Sequence, residues 1–264
     1  MGLATYRGRH GDAALARTIG AVMTWADEYR AGDHEGVWRK LTELGPGLRQ
    51  DSAAWDDATE VARETMRRVR ANVERLHAAL LEDGYRFDRP DDALVAPAAD
   101  AHDRLDQVER VVGPLPLSLR GWIEVVGSVN FVGVHPEWDF EYADPLVVDC
   151  PIDHIVREYE EREASGWFEE EDSDRFPLDL APDYLHKADV SGGAPYSIWV
   201  PDAAADARWE FDDLHETAFT GYLRSALLDW GGFPGWARRE PAWAAPTEPW
   251  PPLLADLTAG FERF

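Results

Sequence analysis

The stretch from Leu115 to Trp138 combines a helical and a strand-like pattern of apolar residues. Pro116 suits the first turn of a helix, where its missing N–H costs nothing, and Gly127 is expected to end that helix. Four apolar residues at three-and-four spacing predict its buried face: Leu119, Trp122, Ile123 and Val126. The β-forming residues of 128–134 then predict a strand. A helix, a tight turn and a strand follow one another, and we interpret this unit as a packing nucleus.

Helical periodicity also dominates the first 100 residues. Apolar residues recur at helical spacing over 12–29 and 36–44, and a near-heptad stripe predicts a longer helix over 56–82. Gly84 is the expected C-terminal cap of the long helix. The sequence therefore predicts a helical N-terminal region.

The segment 88–101 is rich in Pro, Asp and Ala and is interpreted as a linker or exposed loop. We place a domain boundary there, between a helical region over 1–100 and a second domain over 101–264. In the second domain, helices are predicted over 103–112, from Pro151 onward and over 217–230. Short apolar runs predict strands at 146–148, 176–182, 195–201 and 208–211.

The balance of acidic and basic residues also changes near residue 100. The whole chain has 26 basic and 51 acidic side chains, a net charge of −25, and residues 1–100 contribute only 18 acidic and 14 basic groups to these totals. Such a field repels nucleic acid and anionic lipid and attracts basic partners. Solubility in an acidic proteome explains the charge equally well. No apolar run of about 20 residues or secretory leader is found, so we expect a cytoplasmic protein with no membrane contact.

The most acidic segment surrounds two large aromatic residues. Between Glu158 and Asp174 there are nine acidic residues and one arginine, with Trp167 and Phe168 in the middle. Carboxylates attract a basic surface at long range, and large apolar side chains often anchor an interface. A solvated disordered loop is the alternative. The predicted partner-binding residues are Glu158, Glu160, Glu161, Glu163, Trp167, Phe168, Glu169, Glu170, Glu171 and Asp172.

Histidines offer a second kind of candidate site. A hydrolase or transferase site around His135, His154, Asp183 and His186 is the alternative function, although these residues lack the spacing of metal ligands on one helix. We expect neither a metal site nor a bound cofactor. Cys150 is the one cysteine, and its position beside an apolar strand indicates a small core residue.

The order of motifs in the second half resembles the SUKH superfamily, which includes bacterial immunity proteins and a yeast cell-wall synthesis regulator. The resemblance covers roughly residues 101–236. It is carried by Val108-Glu109, the Leu-Pro-Leu-Ser-Leu-Arg helix of 115–120 and the Gly-Ser-Val-Asn-Phe-Val-Gly run of 127–133. Better-known branches have a double glycine where this chain has Gly127-Ser128, which indicates a divergent subgroup.

The resemblance implies an α+β domain with a mixed or antiparallel sheet flanked by helices. It carries over no catalytic residue and implies that the protein is not an enzyme. The implied role is to bind and neutralise a cognate toxin, often a nuclease, through an acidic surface that suits a basic partner. A regulatory scaffold without a toxin partner is a further alternative.

Overall fold

The structure is a computed structural model that describes residues 23–138, 141–171, 173–210, 217–238, 243, 246 and 249–264. The α-helices are α1 (Trp25–Arg30), α2 (His34–Leu44), α3 (Ser52–Asp83), α4 (Ala101–Val112), α5 (Leu117–Gly121), α6 (Ile152–Ser165), α7 (Trp167–Glu170), α8 (Tyr184–Lys187), α9 (Phe219–Arg224) and α10 (Pro252–Thr258). The strands are β1 (Arg86–Phe87), β2 (Leu94–Val95), β3 (Ser128–Asn130), β4 (Gly133–Val134), β5 (Val147–Val148), β6 (Phe176–Ala181) and β7 (Tyr196–Val200). No helix within these ranges combines the length and the apolar composition that crossing a membrane requires.

Helices and small antiparallel sheets confirm the α+β class. Strand β3 lies between β2 and β5, β6 pairs with β7, and β1 pairs with β4, every pair antiparallel. The three-stranded sheet meets the β6–β7 pair through a hydrogen bond of 2.9 Å from the Asp149 N–H to the Leu180 carbonyl. This contact places the N-terminus of α6 beside β6.

The predicted packing nucleus forms much as expected. Helix α5 starts directly after Pro116 and continues into a π-helical turn (Trp122–Val126), and the four predicted core side chains are buried. Gly127 ends the helix with φ 91°, and a Cβ there would lie 2.2 Å from the Val95 carbonyl oxygen, so no larger residue fits.

The predicted strand over 128–134 is instead two short strands, β3 and β4, which belong to different sheets. Asn130 provides the physical reason for the break. Its side-chain Oδ1 accepts a hydrogen bond of 3.2 Å from the Val132 N–H, which turns the chain after β3.

The interpretation of 88–101 as a plain linker is wrong, because β2 lies within it and pairs with β3. Ala93, directly before β2, is buried. The pairing of β2 with β3 therefore connects the two sides of the predicted domain boundary, and the division of the chain at residue 100 stays a prediction.

Two hydrophobic clusters share the long helix α3. Its first turns, with Val61 and Ala62, join a smaller cluster formed mainly with α1 and α2. The later turns, from Met66 to Leu80, join the large cluster that contains the sheets and α5. The Asp51 side chain accepts from the Ala53 and Ala54 N–H groups and starts α3 four residues earlier than predicted, and Gly84 ends it as expected.

Of the predicted helix over 12–29, the structure describes residues 23–29. Here the helix begins only at Trp25, because the Thr24 hydroxyl accepts from the Asp27 N–H and the Asp27 carboxylate accepts from the Thr24 N–H. Met23, predicted on the apolar face, is 57% exposed. Residues 12–22 lie outside the described residues.

Arg120 connects α4 and α5 through a nearly buried guanidinium whose side chain is 8% exposed. Its Nη1 lies 2.5 Å from Glu109, and its Nη2 lies 2.8 Å from Asp106 and 3.2 Å from Glu124. Glu109 also accepts from the Leu115 N–H at 2.7 Å and from Arg49 at 2.9 Å. One cation therefore contacts three carboxylates, of which Glu109 also pairs with Arg49 and Glu124 with Arg63. Glu109 also fixes the start of the Leu115 segment.

Asp206 is a second buried charged group, in the loop before α9. Its carboxylate accepts from the Thr220 hydroxyl at 2.6 Å and from the Thr220 N–H. Burial raises the pKa of this carboxyl above its ordinary value of 3.8, and the hydrogen bonds from Thr220 offset only part of that shift.

Replacing Arg120 with methionine should lower the free energy of unfolding by about 3 to 5 kcal/mol, because the largely buried carboxylates of Glu109 and Glu124 lose their most buried cationic partner. Urea denaturation measures this change. Arg110→Met is the matched control, since Arg110 is exposed on the same helix as Glu109 and should change stability by less than about 0.5 kcal/mol. Equal effects of the two substitutions would contradict the structural role of Arg120.

The stability of the Asp206→Asn variant relative to the wild type should increase as pH rises above about 4, the ordinary pKa of an aspartate. A raised pKa means that the folded state holds this proton more tightly than the unfolded state. The wild type therefore loses stability as pH rises above the unfolded pKa, and asparagine cannot titrate. Urea denaturation at several pH values gives the difference in the free energy of unfolding between the variant and the wild type. A difference that does not change with pH would refute this account.

Candidate partner-binding surface

The acidic segment folds as two consecutive helices. Helix α6 contains Glu158 to Glu163, Gly166 ends it in the left-handed conformation, and α7 follows immediately. The disordered-loop alternative is therefore wrong for these residues. Asp172 lies outside the described residues, so its predicted contribution stays a prediction.

Six exposed carboxylates lie on these two helices or directly after α7, and we call them the acidic surface: Glu160, Glu161, Glu163, Glu169, Glu170 and Glu171. Among the ion pairs of the described residues, none includes a member of this set. Glu158 differs, because it is half-buried between His154 at 3.9 Å and Arg162 at 3.8 Å. The six exposed groups therefore keep their charge available for a partner.

The two aromatic residues pack inward. The Phe168 ring lies 5.6 Å from the ring of Tyr159 and 6.2 Å from that of Phe176, centroid to centroid. Trp167 lies under the Arg162 guanidinium at 4.6 Å and donates its Nε1–H to the Arg175 carbonyl at 3.4 Å. Both side chains are half-buried against the large cluster, so a partner would meet only part of each ring.

A groove of about 640 Å³ opens beside this aromatic packing. Tyr159 and Phe168 provide aromatic walls, and Glu163, Glu169 and Asp174 provide carboxylates around them. We call this feature the aromatic groove. A lysine or arginine side chain matches it, since its methylene groups pack on aromatic rings while its charged end reaches carboxylates.

Sequence reasoning missed Tyr159 as part of this surface, although a signal was present. Tyr159 and Glu163 are four residues apart, and residues at that spacing lie on the same face of a helix. The contribution of Asp174, which comes from the segment after α7, had no comparable signal because it depends on how the chain turns back toward β6.

The structure separates His135 from the other predicted histidines. His135 is buried, its ring stacks on Trp138 with centroids 4.1 Å apart, and its Nε2 lies 2.9 Å from the Asp83 carbonyl oxygen. Its Nδ1 accepts from the Glu137 N–H at 3.1 Å. Both ring nitrogens thus have partners within the protein, and the expectation that His135 shares a site with His154 and His186 is wrong.

His154 and His186 do come together, on the wall of one cavity of about 590 Å³. Asp183 lies behind His186, with its Oδ1 2.9 Å from the ring Nδ1. In the described part of the chain, no cluster of three or more His, Cys, Asp or Glu side chains could hold a metal ion.

Cys150 is buried, as predicted. Burial, and to a lesser degree the charge of Asp149, raises the pKa of its thiol well above the ordinary value. The thiolate that a nucleophile requires is therefore disfavoured.

No protein-family model, curated protein sequence or solved structure matches the chain. The fold and the residues of the acidic surface are therefore the basis for any functional proposal.

Replacing Phe168 with alanine should lower the free energy of unfolding by about 1 to 3 kcal/mol, less than for a fully buried phenylalanine, because the ring is half-buried against Tyr159 and Phe176. The neighbouring Glu169→Ala is the control and should change stability by less than about 0.5 kcal/mol. Thermal or urea unfolding compares the two, and a neutral Phe168→Ala would show that the ring does not contribute to the packing.

Proposed function

We propose that this protein binds a basic protein through the acidic surface and the aromatic groove, and that it neutralises a cognate toxin in this way. The observation that carries the proposal is the aromatic groove, whose aromatic walls and surrounding carboxylates suit a lysine or arginine side chain. Glu163 and Glu169 of the acidic surface line it, and none of the six acidic-surface carboxylates has a partner among the ion pairs of the described residues.

Electrostatics supports the same partner. The chain has a net charge of −25, and most of it lies after residue 100, where 33 acidic residues occur with only 12 basic ones. Charge of one sign accelerates the encounter with a partner of the opposite sign, and this acceleration falls as salt screens the field. The acidic surface would determine the rate of association, while the aromatic groove would hold one basic side chain after contact.

The toxin is the part of the proposal that follows from the resemblance to the SUKH superfamily. Nucleases carry basic clefts, and an acidic protein that covers such a cleft blocks access of the nucleic acid. The α+β class and the exposed carboxylates of α6 and α7 are compatible with this role.

The test compares the wild type with a variant in which all six residues of the acidic surface are replaced by glutamine. Tagged proteins are incubated with extract of the native cells at low salt, and captured proteins are identified by mass spectrometry. We expect one basic protein with the wild type, released as salt rises and lost with the variant. With the captured protein purified, the variant should associate at least about tenfold more slowly at low salt.

A matched control has the same change in charge at exposed acids elsewhere: Glu43, Glu82, Asp88, Asp91, Asp100 and Asp103. This control should capture the partner as the wild type does. Expression of the partner should slow growth, and the wild type and control should restore growth while the variant at the acidic surface should not. If that variant associates and protects as well as the control, the proposed surface is wrong.

A further inference from the structure

The cavity lined by His154 and His186 lies apart from the acidic surface. Its volume of about 590 Å³ is within the range of small-molecule sites. Segments distant in sequence form its walls, including β5, the N-terminal half of α6, the end of β6 and the turn after β1. The core residues Val147 and Leu180 form part of the lining.

Two arginines give this cavity a cationic side. Arg89 and Arg157 both line it, and the ion pairs of the described residues include neither guanidinium. Arg157 Nη2 donates to His154 Nδ1 at 2.8 Å. Because Nδ1 accepts, the proton of the neutral His154 ring is on Nε2, so the imidazole adds an N–H donor to the two guanidinium groups.

His186 is oriented by a carboxylate behind it. The Asp183 side chain is 3% exposed, and its Oδ1 accepts from the His186 N–H at 2.8 Å and from the ring Nδ1 at 2.9 Å. The proton of the neutral ring is therefore on Nδ1. Nε2 is left for a group inside the cavity, where it can accept a hydrogen bond from a hydroxyl group or, once protonated, donate one to an anion.

Asp149 and Asp179 add carboxylate acceptors to the same cavity. Burial, followed by the charge of Glu158, raises the pKa of the Asp179 carboxyl. A ligand that fits every polar group of this cavity carries an oxyanion for the two arginines and His154, and hydroxyl groups for the two carboxylates. Carboxylates accept charge-assisted hydrogen bonds from hydroxyl groups, and guanidinium groups donate them to phosphates.

We propose that this cavity binds a small phosphorylated polyol such as a sugar phosphate. The phosphate group of this ligand contacts Arg89, Arg157 and His154. Its hydroxyl groups contact Asp149 and Asp179. Nε2 of His186 forms a hydrogen bond with one of these ligand oxygens. The site is independent of the acidic surface, because none of its residues belongs to that set.

Calorimetric titration with glucose 6-phosphate, glucose and inorganic phosphate tests the proposal. The sugar phosphate should bind at least about tenfold more tightly than either of the other two probes, since only it engages both sides of the cavity. Arg157→Gln and Arg89→Gln should each weaken it by about tenfold or more. Arg110→Gln, an exposed arginine on α4 outside the cavity, is the control and should leave the affinity unchanged.

Nitrogen-15 spectra of the histidine rings locate the ligand. On addition of glucose 6-phosphate, the His154 and His186 signals should move, while those of His102 on α4 should not. Equal binding of inorganic phosphate and glucose 6-phosphate would overturn the polyol part of the proposal. Absence of binding with a dissociation constant below about 10 mM, or an unchanged affinity in both cavity arginine variants, would overturn the site.

Discussion

The buried guanidinium of Arg120 is the interaction on which the arrangement of the helices depends. It brings together Asp106 and Glu109 of α4 and Glu124 of the π-helical turn, and Glu109 in turn holds Arg49, which precedes α3. Helix α4, the π-helical turn and the segment before α3 are thus held around the guanidinium of Arg120. The cost of removing these ions from water is offset only because each carboxylate has a close cationic partner. Through the hydrogen bond from the Leu115 N–H to Glu109, the same contacts also fix the chain just before α5.

The helices could be predicted from sequence because their signals are local. The apolar stripe of α3 and the face of α5 repeat at helical spacing, and Gly84 and Gly127 end their helices through backbone geometry that glycine favours. The short strand β2 had no such signal, because two residues cannot show a period and its neighbours are typical of loops. Its pairing with β3 is a long-range contact that only the folded chain reveals.

The candidate functional residues also divide into those whose placement could be predicted from sequence and those whose placement could not. The exposed carboxylates of α6 and α7 are visible in the sequence, since a dense run of acidic residues remains solvated in almost any fold. The inward packing of Trp167 and Phe168 is not visible, because it depends on Tyr159 and Phe176 lying behind them. The meeting of His154 and His186 depends on the contact between β5 and β6, which no spacing along the chain encodes.

The length of α3 has a consequence for the dynamics of the whole chain. At about 1.5 Å per residue, a helix of 32 residues spans on the order of 48 Å. Each hydrophobic cluster covers a different part of α3. If either cluster separates from the helix, the apolar side chains that it covered become exposed, because the remaining cluster packs on other turns. Amide hydrogen exchange in the middle turns, near Thr65 and Met66, then reports on the opening of both clusters together. The helix makes the two clusters one cooperative unit, even though they share few side chains directly.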